Sequence, residues 1–203
     1  MSSCCLKGFN INNQNCYVTG NNPGDAIIVI HDLYGWTFTN TRLLADDYAA
    51  EFGCTVYVPD FFGGEVLSPA LINYPAERGK LNLPGFMRRN SKALGDKSNQ
   101  PSLVDCISTS HPTFLEKEEM LNVNVPVQIM APERDPHFTE ELKAFAVSEI
   151  PKLGVPFDYQ YFPGLEHGFS VRGNRENAAE MEGLQRARRA AVMCFREWLV
   201  DSE

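Results

Sequence analysis

No apolar run in this sequence approaches the roughly 18 residues a membrane-crossing helix requires, and the opening MSSCCLKGFN lacks the apolar core of a secretory leader. A cytoplasmic protein without a membrane partner is expected. Positive charge is scarce: 18 Lys and Arg face 26 Asp and Glu, a formal net charge of -8. Phosphate backbones are held by a surplus of cations, so nucleic acid is not an expected partner. Cysteine occurs six times (Cys4, Cys5, Cys16, Cys54, Cys106, Cys194), but in no spacing that binds metal. Cys4 and Cys5 lack a second C-x-x-C or H-x-x-x-H partner, and a chain of this length needs no disulfide staples. Neither a metal nor another cofactor is expected. Missing too is any G-x-S-x-G or G-x-C-x-G, the tight turn that exposes a catalytic nucleophile at a strand end.

What is present is an ordinary globular chain. Its 43% hydrophobic and 22% charged residues exclude disorder, collagen and coiled coil. At 203 residues it is expected to form one domain, spanning 1–203, with a full core. Continuous apolar runs at 26–31 (AIIVIH), 54–58 (CTVYV), 103–108 (LVDCIS), 125–130 and 157–162 (FDYQYF) read as strands buried on both faces. Helical spacing at 41–52, 140–150 and along the C-terminal stretch separates or follows them. The inner stripe of the last helix is read as Met181, Leu184, Ala187, Ala191, Cys194 and Leu199. Alternating strands and helices predict an α/β fold, a mostly parallel sheet with helices on both faces. One interval, 60–102, has no strand-like run, only Gly and Pro turns and one helix-like segment near 86–94. A loop that long is expected to be functional.

Two motifs follow the last strand-like runs. ERDP places Asp135 after the fourth, and EHGFSVRGN places His167 after the fifth. An acid and then a histidine on successive strand ends is the back half of an α/β-hydrolase triad, whose chain order is nucleophile, acid, histidine. Asp135 also has a plainer reading, as a cap for the helix after Pro136.

Together with the CC-x-x-G-F start, HDLYGW, VYVPDFFGG and STSHP, these motifs make nearly the whole chain resemble the dienelactone hydrolase family, in a fungal type. The resemblance implies an α/β-hydrolase-like domain and a small-molecule ester, lactone or enol-lactone as substrate. It implies Asp135 as catalytic acid, His167 as catalytic histidine and the Leu33 backbone N–H as an oxyanion donor. Asp32 and Tyr34 flank that donor in HDLYGW, and Arg172 matches an arginine that grips a substrate carboxylate. The family's nucleophilic cysteine, in its G-x-C-x-G elbow, has no counterpart. RRNSKALGDKSNQ runs straight into PSLVDCIS, short of one central strand–helix unit that would begin near Gly95. Such a unit takes roughly 30 residues or more. Its loss would make the strands at 26–31 and 103–108 pair directly or leave a gap. Apolar surface left exposed would then invite a ligand or a second copy, as a homodimer.

Three readings stay open. In the first the protein is a hydrolase, with Cys106 or nearby Ser108 or Ser110 as replacement nucleophile, or with His167 activating water directly. Against Cys106 stands its place inside a strand without flanking glycines. In the second, the pocket serves an isomerase, a cyclase or a binding protein. The third is an inactive truncated form. His111, before Pro112, is read as a pocket wall, and FFGG at 61–64 as a turn on the pocket rim.

Overall fold

The computed structural model describes residues 8–11, 14–68, 104–172 and 176–199. Residues 1–7 of the start, the interval 69–103 with its helix near 86–94 and the junction near Gly95 lie outside the described residues. The chain divides into two compact units, residues 1–99 and 100–203.

The first unit is a four-stranded sheet in the order β1-β2-β4-β3, with β1 at Gly8–Ile11, β2 at Gln14–Thr19, β3 at Ala26–Ile28 and β4 at Thr55–Pro59. β3 and β4 run parallel, as their apolar runs predict. β1 and β2 form an antiparallel hairpin, with β2 antiparallel to β4, and were not expected. Their signal is faint, because Asn and Gln occupy five of the twelve positions from 8 to 19 and hide the alternation. Helix α1 (Thr39–Phe52) is tied to this sheet by the Tyr17 hydroxyl, which donates to Asp46 Oδ1 at 2.7 Å.

The second unit is a parallel three-stranded sheet, β5 (Ile107–Ser110), β6 (Val127–Arg134) and β7 (Phe157–Glu166), with β6 in the middle. Ile107 pairs with Val127, so one step earlier Cys106 would face Pro126, which has no N–H to give. The strand therefore starts four residues later than its apolar run at 103–108. Helices α2 (Lys117–Leu121) and α3 (Glu140–Glu149) cover one face, followed by a 3₁₀ turn at Ile150–Leu153. There Val127, Ile129 and Ala131 pack with Met120, Phe138, Ala146 and Ile150 in the main core cluster. On the other face lies α5 (Ala178–Leu199), which buries Gly183, Ala187, Ala190, Ala191 and Cys194. The small residues in that list carry the seam, while Met181, Leu184 and Leu199 sit half-buried at its margin. Buried Gln128 ties the layers together: its amide donates to Asp158 on β7 and to the Ala190 carbonyl on α5, and its oxygen accepts from Ser108 on β5. Apolar side chains are exposed on or beside the edge strands β3 and β5, Ile28 and Ile30 in the first unit and Val104 and Ile107 in the second.

One irregularity sets up the site. Ala131 pairs with Tyr161 and Pro132 with Phe162, but Arg134 pairs with Glu166. β7 thus gains two residues on β6 at Pro163–Gly164, a bulge built on a proline without an N–H and a glycine at φ 75°. The Gly164 N–H donates to Glu133 Oε2 at 2.6 Å, and its carbonyl accepts from Arg134 at 3.1 Å. No atom lies within 4 Å of where a Gly164 side chain would sit, so a substitution there acts on the backbone alone. Gly164→Ala is expected to cost about 1 kcal/mol in urea unfolding by forcing a side chain into the left-handed region.

Candidate active site

Parallel strands end together, so the residues after β5, β6 and β7 gather at one edge, where open α/β sheets bind ligands. Asp135 follows β6 and His167 follows β7. With the register of Pro132 and Phe162 continued, Asp135 would face Leu165; the bulge brings His167 there instead. An even shift keeps the side chain on the same face. The His167 N–H donates to the Arg134 carbonyl at 3.1 Å, and its Nδ1 lies 3.0 and 2.9 Å from the two Asp135 carboxylate oxygens.

Asp135 also accepts from the backbone N–H groups of His137 and Phe138, at 2.8 and 3.0 Å. Burial opposes its ionisation, but the His167 contact and those two N–H groups prevail and hold its pKa at about 2. The carboxylate is therefore charged and accepts only, so His167 carries a proton on Nδ1, and in the neutral imidazole Nε2 is then the bare nitrogen. That nitrogen meets the Thr113 hydroxyl at 3.2 Å. The helix-cap reading of Asp135 is corrected at this point: α3 is capped by Thr139, whose hydroxyl accepts from Leu142. Asp135 instead closes the turn before it, and buried Phe138 anchors that turn in the core.

Two more histidines flank the first. His111 and His137 meet the His167 ring edge-on, with centroids 4.9 and 4.8 Å away. His111 Nε2 contacts Ser170 Oγ at 2.8 Å, on the short helix α4 (Phe169–Arg172). Burial, then the neighbouring His167 and Arg172, drive the His111 pKa down to about 3, so it is neutral. His137 is shifted downward too, again first by burial. The ring nitrogens of His111 and His167 turn to different partners, and among the described residues no group of His, Cys, Asp and Glu is placed to hold a metal. The Arg172 guanidinium lies over Gly168, where any side chain would collide with it. Gly168 sits at φ 87° and carries the chain from His167 into α4.

Four of the residues singled out from the sequence therefore meet: His111, Asp135, His167 and Arg172. Cys106 does not join them, and its reading as nucleophile is corrected. It lies at the start of β5, so the strand alone sets it roughly 13 Å from the far edge, at about 3.3 Å per residue. Its thiol hydrogen-bonds Cys194 of α5, which draws the Cys106 pKa down against burial and pushes that of Cys194 up. Ser108 and Ser110 are engaged inside the sheet, with Gln128 and the Met130 sulfur. A cleft of about 500 Å³ opens at that same start of the strands, lined among others by Val127, Phe157, Cys194 and Trp198. Asp158, Arg196 and Glu197 also line it, but none of the described histidines does. Asp32, Leu33 and Tyr34 belong to the first unit. Asp32 Oδ1 accepts from the Tyr34 N–H at 2.9 Å, which shapes the loop, and Tyr34 is buried against Phe38. His31, which also ends a strand-like run, is buried under Phe62 and accepts from the Phe61 N–H, a packing role.

A family model described as "Dienelactone hydrolase family" matches residues 96–199. A carboxymethylenebutenolidase homolog of Mus musculus is 42% identical over 222 residues, covering 90% of this chain and 85% of the relative. The chain belongs to the dienelactone hydrolase family. A second relative, the hydrolase tropI of Talaromyces stipitatus, is 24% identical over 247 residues, covering 97% of this chain and 94% of its own. Among solved structures, a dienelactone hydrolase-like promiscuous phosphotriesterase from metagenomic libraries aligns with a TM-score of 0.63 at 15% identity, covering 91% and 92% of the two chains. A carboxyl esterase of the fungus Tuber melanosporum aligns at 0.60 and 14%, covering 95% and 86%. These likenesses establish the α/β-hydrolase fold.

Within this family member, the sequence reading passed over Thr113, His137 and Ser170. The usable signal was position: Thr113 lies on the turn after β5, upstream of both Asp135 and His167. Acid should loosen this edge in two steps. His111 and Asp135 both have folded pKa values below their ordinary ones, 6.5 and 3.8, so the unfolded chain binds more protons and stability falls as pH falls. Urea unfolding should weaken from pH 6.5 towards 3 through His111, then further towards pH 2 through Asp135. His111→Gln is expected to flatten the upper step, leaving a shallower slope from His137, and Asp135→Asn the lower one.

Proposed function

We propose that this protein hydrolyses a small ester, lactone or enol-lactone, with His167 as general base and general acid and Asp135 as the group that fixes its tautomer. One observation carries the reading: His167 Nδ1 is held by a buried, charged Asp135 while Nε2 faces outward from the strand ends. A neutral imidazole with a bare, oriented Nε2 takes a proton from an attacking hydroxyl and returns it to the leaving oxygen. Family membership supports acyl chemistry at this edge. So do two fungal relatives, of Talaromyces stipitatus and Aspergillus violaceofuscus, that are named hydrolases.

The substrate class follows from charge. Arg172, on the helix that starts two residues after His167, brings a cation whose field reaches both His111 and His137. We assign it to a substrate carboxylate, which a guanidinium holds with two parallel hydrogen bonds. A reducing, cytoplasmic setting is supported by the four described cysteines, all free thiols, including the contacting pair Cys106 and Cys194.

Turnover of activated esters and of small enol-lactones tests the reading. His167→Ala should lower kcat/KM by about 10²- to 10⁴-fold, the usual reach of a positioned acid–base group. Unchanged turnover in folded His167→Ala would overturn it. Arg172→Leu should raise KM about tenfold or more for substrates bearing a carboxylate, and leave neutral esters nearly untouched.

A further inference from the structure

We infer that Thr113 is the nucleophile of this site and is acylated during turnover. The inference rests on the hydrolytic reading above and supplies the group that reading lacks.

The first argument is the hydrogen bond. Thr113 Oγ1 stands 3.2 Å from His167 Nε2. With the proton of a neutral imidazole held on Nδ1 by Asp135, Nε2 is the acceptor and the hydroxyl is the donor. A hydroxyl donating to an imidazole that a third group orients is the diagnostic arrangement of an activated nucleophile. The other hydroxyls and thiol considered at this strand lack it. Ser108 donates to Gln128, Ser110 lies against Met130, and Cys106 contacts Cys194.

Placement in the chain is the second argument. Thr113, Asp135 and His167 occur in the order nucleophile, acid, histidine, the order an α/β hydrolase uses. Thr113 also stands on a strand–turn–helix, between β5 (Ile107–Ser110) and α2 (Lys117–Leu121). The turn is strained: His111 at φ 41° and Phe114 at φ 58° are the two non-glycine residues with positive φ among those described. Such strain is stored where a side chain must be presented at a fixed angle. His111 is pinned at its end of the turn by its N–H to the Met130 carbonyl and by Ser170, while Phe114 stacks on His137. Among the described residues the Phe114 N–H donates no hydrogen bond. As the amide following the nucleophile, it is placed to receive the oxyanion.

The step balances without a co-reactant. Thr113 Oγ1 bonds the carbonyl carbon as its proton passes to His167 Nε2, and the carbonyl oxygen becomes the oxyanion. Collapse breaks the ester C–O bond, and His167 returns the proton to the departing alcohol or, in a lactone, to the ring oxygen that stays attached to the acyl chain. Water then attacks the threonyl ester with His167 again as base, which releases the acid and restores the hydroxyl.

The probe is a fluorophosphonate, which phosphonylates an activated hydroxyl, followed by intact mass and peptide mapping. A single adduct on Thr113 is expected, absent in Thr113→Val and in His167→Ala. In parallel, Thr113→Val should lose at least 100-fold in ester turnover, and Thr113→Ser should keep or exceed the native rate because it sheds the branching methyl that restricts χ1. Full turnover in Thr113→Val, an adduct elsewhere, or no adduct on folded protein would overturn the inference. If His167→Ala still abolished turnover in that case, the hydrolytic reading would stand with water as the direct nucleophile. If His167→Ala also kept full turnover, both would fall.

Discussion

The hydrogen bond between Asp135 and His167 is the constraint on which the site depends, and two local irregularities make it possible. The bulge at Pro163–Gly164 advances β7 by two residues, without which Leu165 would face the acid. The turn after β6 gives Asp135 two backbone N–H donors, which with His167 keep the carboxylate charged where burial opposes its ionisation. Remove either, and His167 loses the partner that decides which of its nitrogens is bare.

The body of the second unit serves to hold β6 and β7 still. Gln128, buried in the central strand, bonds to both neighbouring strands and to α5, and a half-satisfied version of that network would be worse than an apolar core. Phe138 is fully buried three residues after Asp135, so the turn that carries the acid is anchored in the core it adjoins. Around His167 the protein packs two further imidazoles and a guanidinium. Burial and the neighbouring positive charge keep His111 neutral, so the edge avoids the cost of clustered buried cations.

Much of this was legible in the sequence, and the failures have physical causes. Apolar runs located β3, β4, β6 and β7, although only β4 and β6 are buried along most of their length, while β3 and β7 leave side chains exposed. The same runs put Asp135 and His167 at strand ends. The hairpin β1–β2 stayed hidden because its polar residues blur the alternation, and its pairing with β4 is a tertiary contact. Cys106 was weighed as a nucleophile from its chain position, yet one strand length separates it from the histidine edge, and it contacts Cys194 instead. Thr113 was missed for the converse reason. The strand-like run ends at Ser108, while the hydroxyl that reaches His167 lies in the strained turn beyond it. No composition or periodicity signals a two-residue bulge either, although Pro163-Gly164 directly after the strand-like run at 157–162 is its trace.

The account turns on the tautomer of His167, and ¹⁵N-edited NMR of histidine-labelled protein near neutral pH reads it directly. A protonated Nδ1 with a strongly downfield proton, and an unprotonated Nε2, is the predicted result, with the downfield proton lost in Asp135→Asn. A proton resident on Nε2 of His167 in the neutral protein would contradict it, since that nitrogen could then accept no proton from any nucleophile.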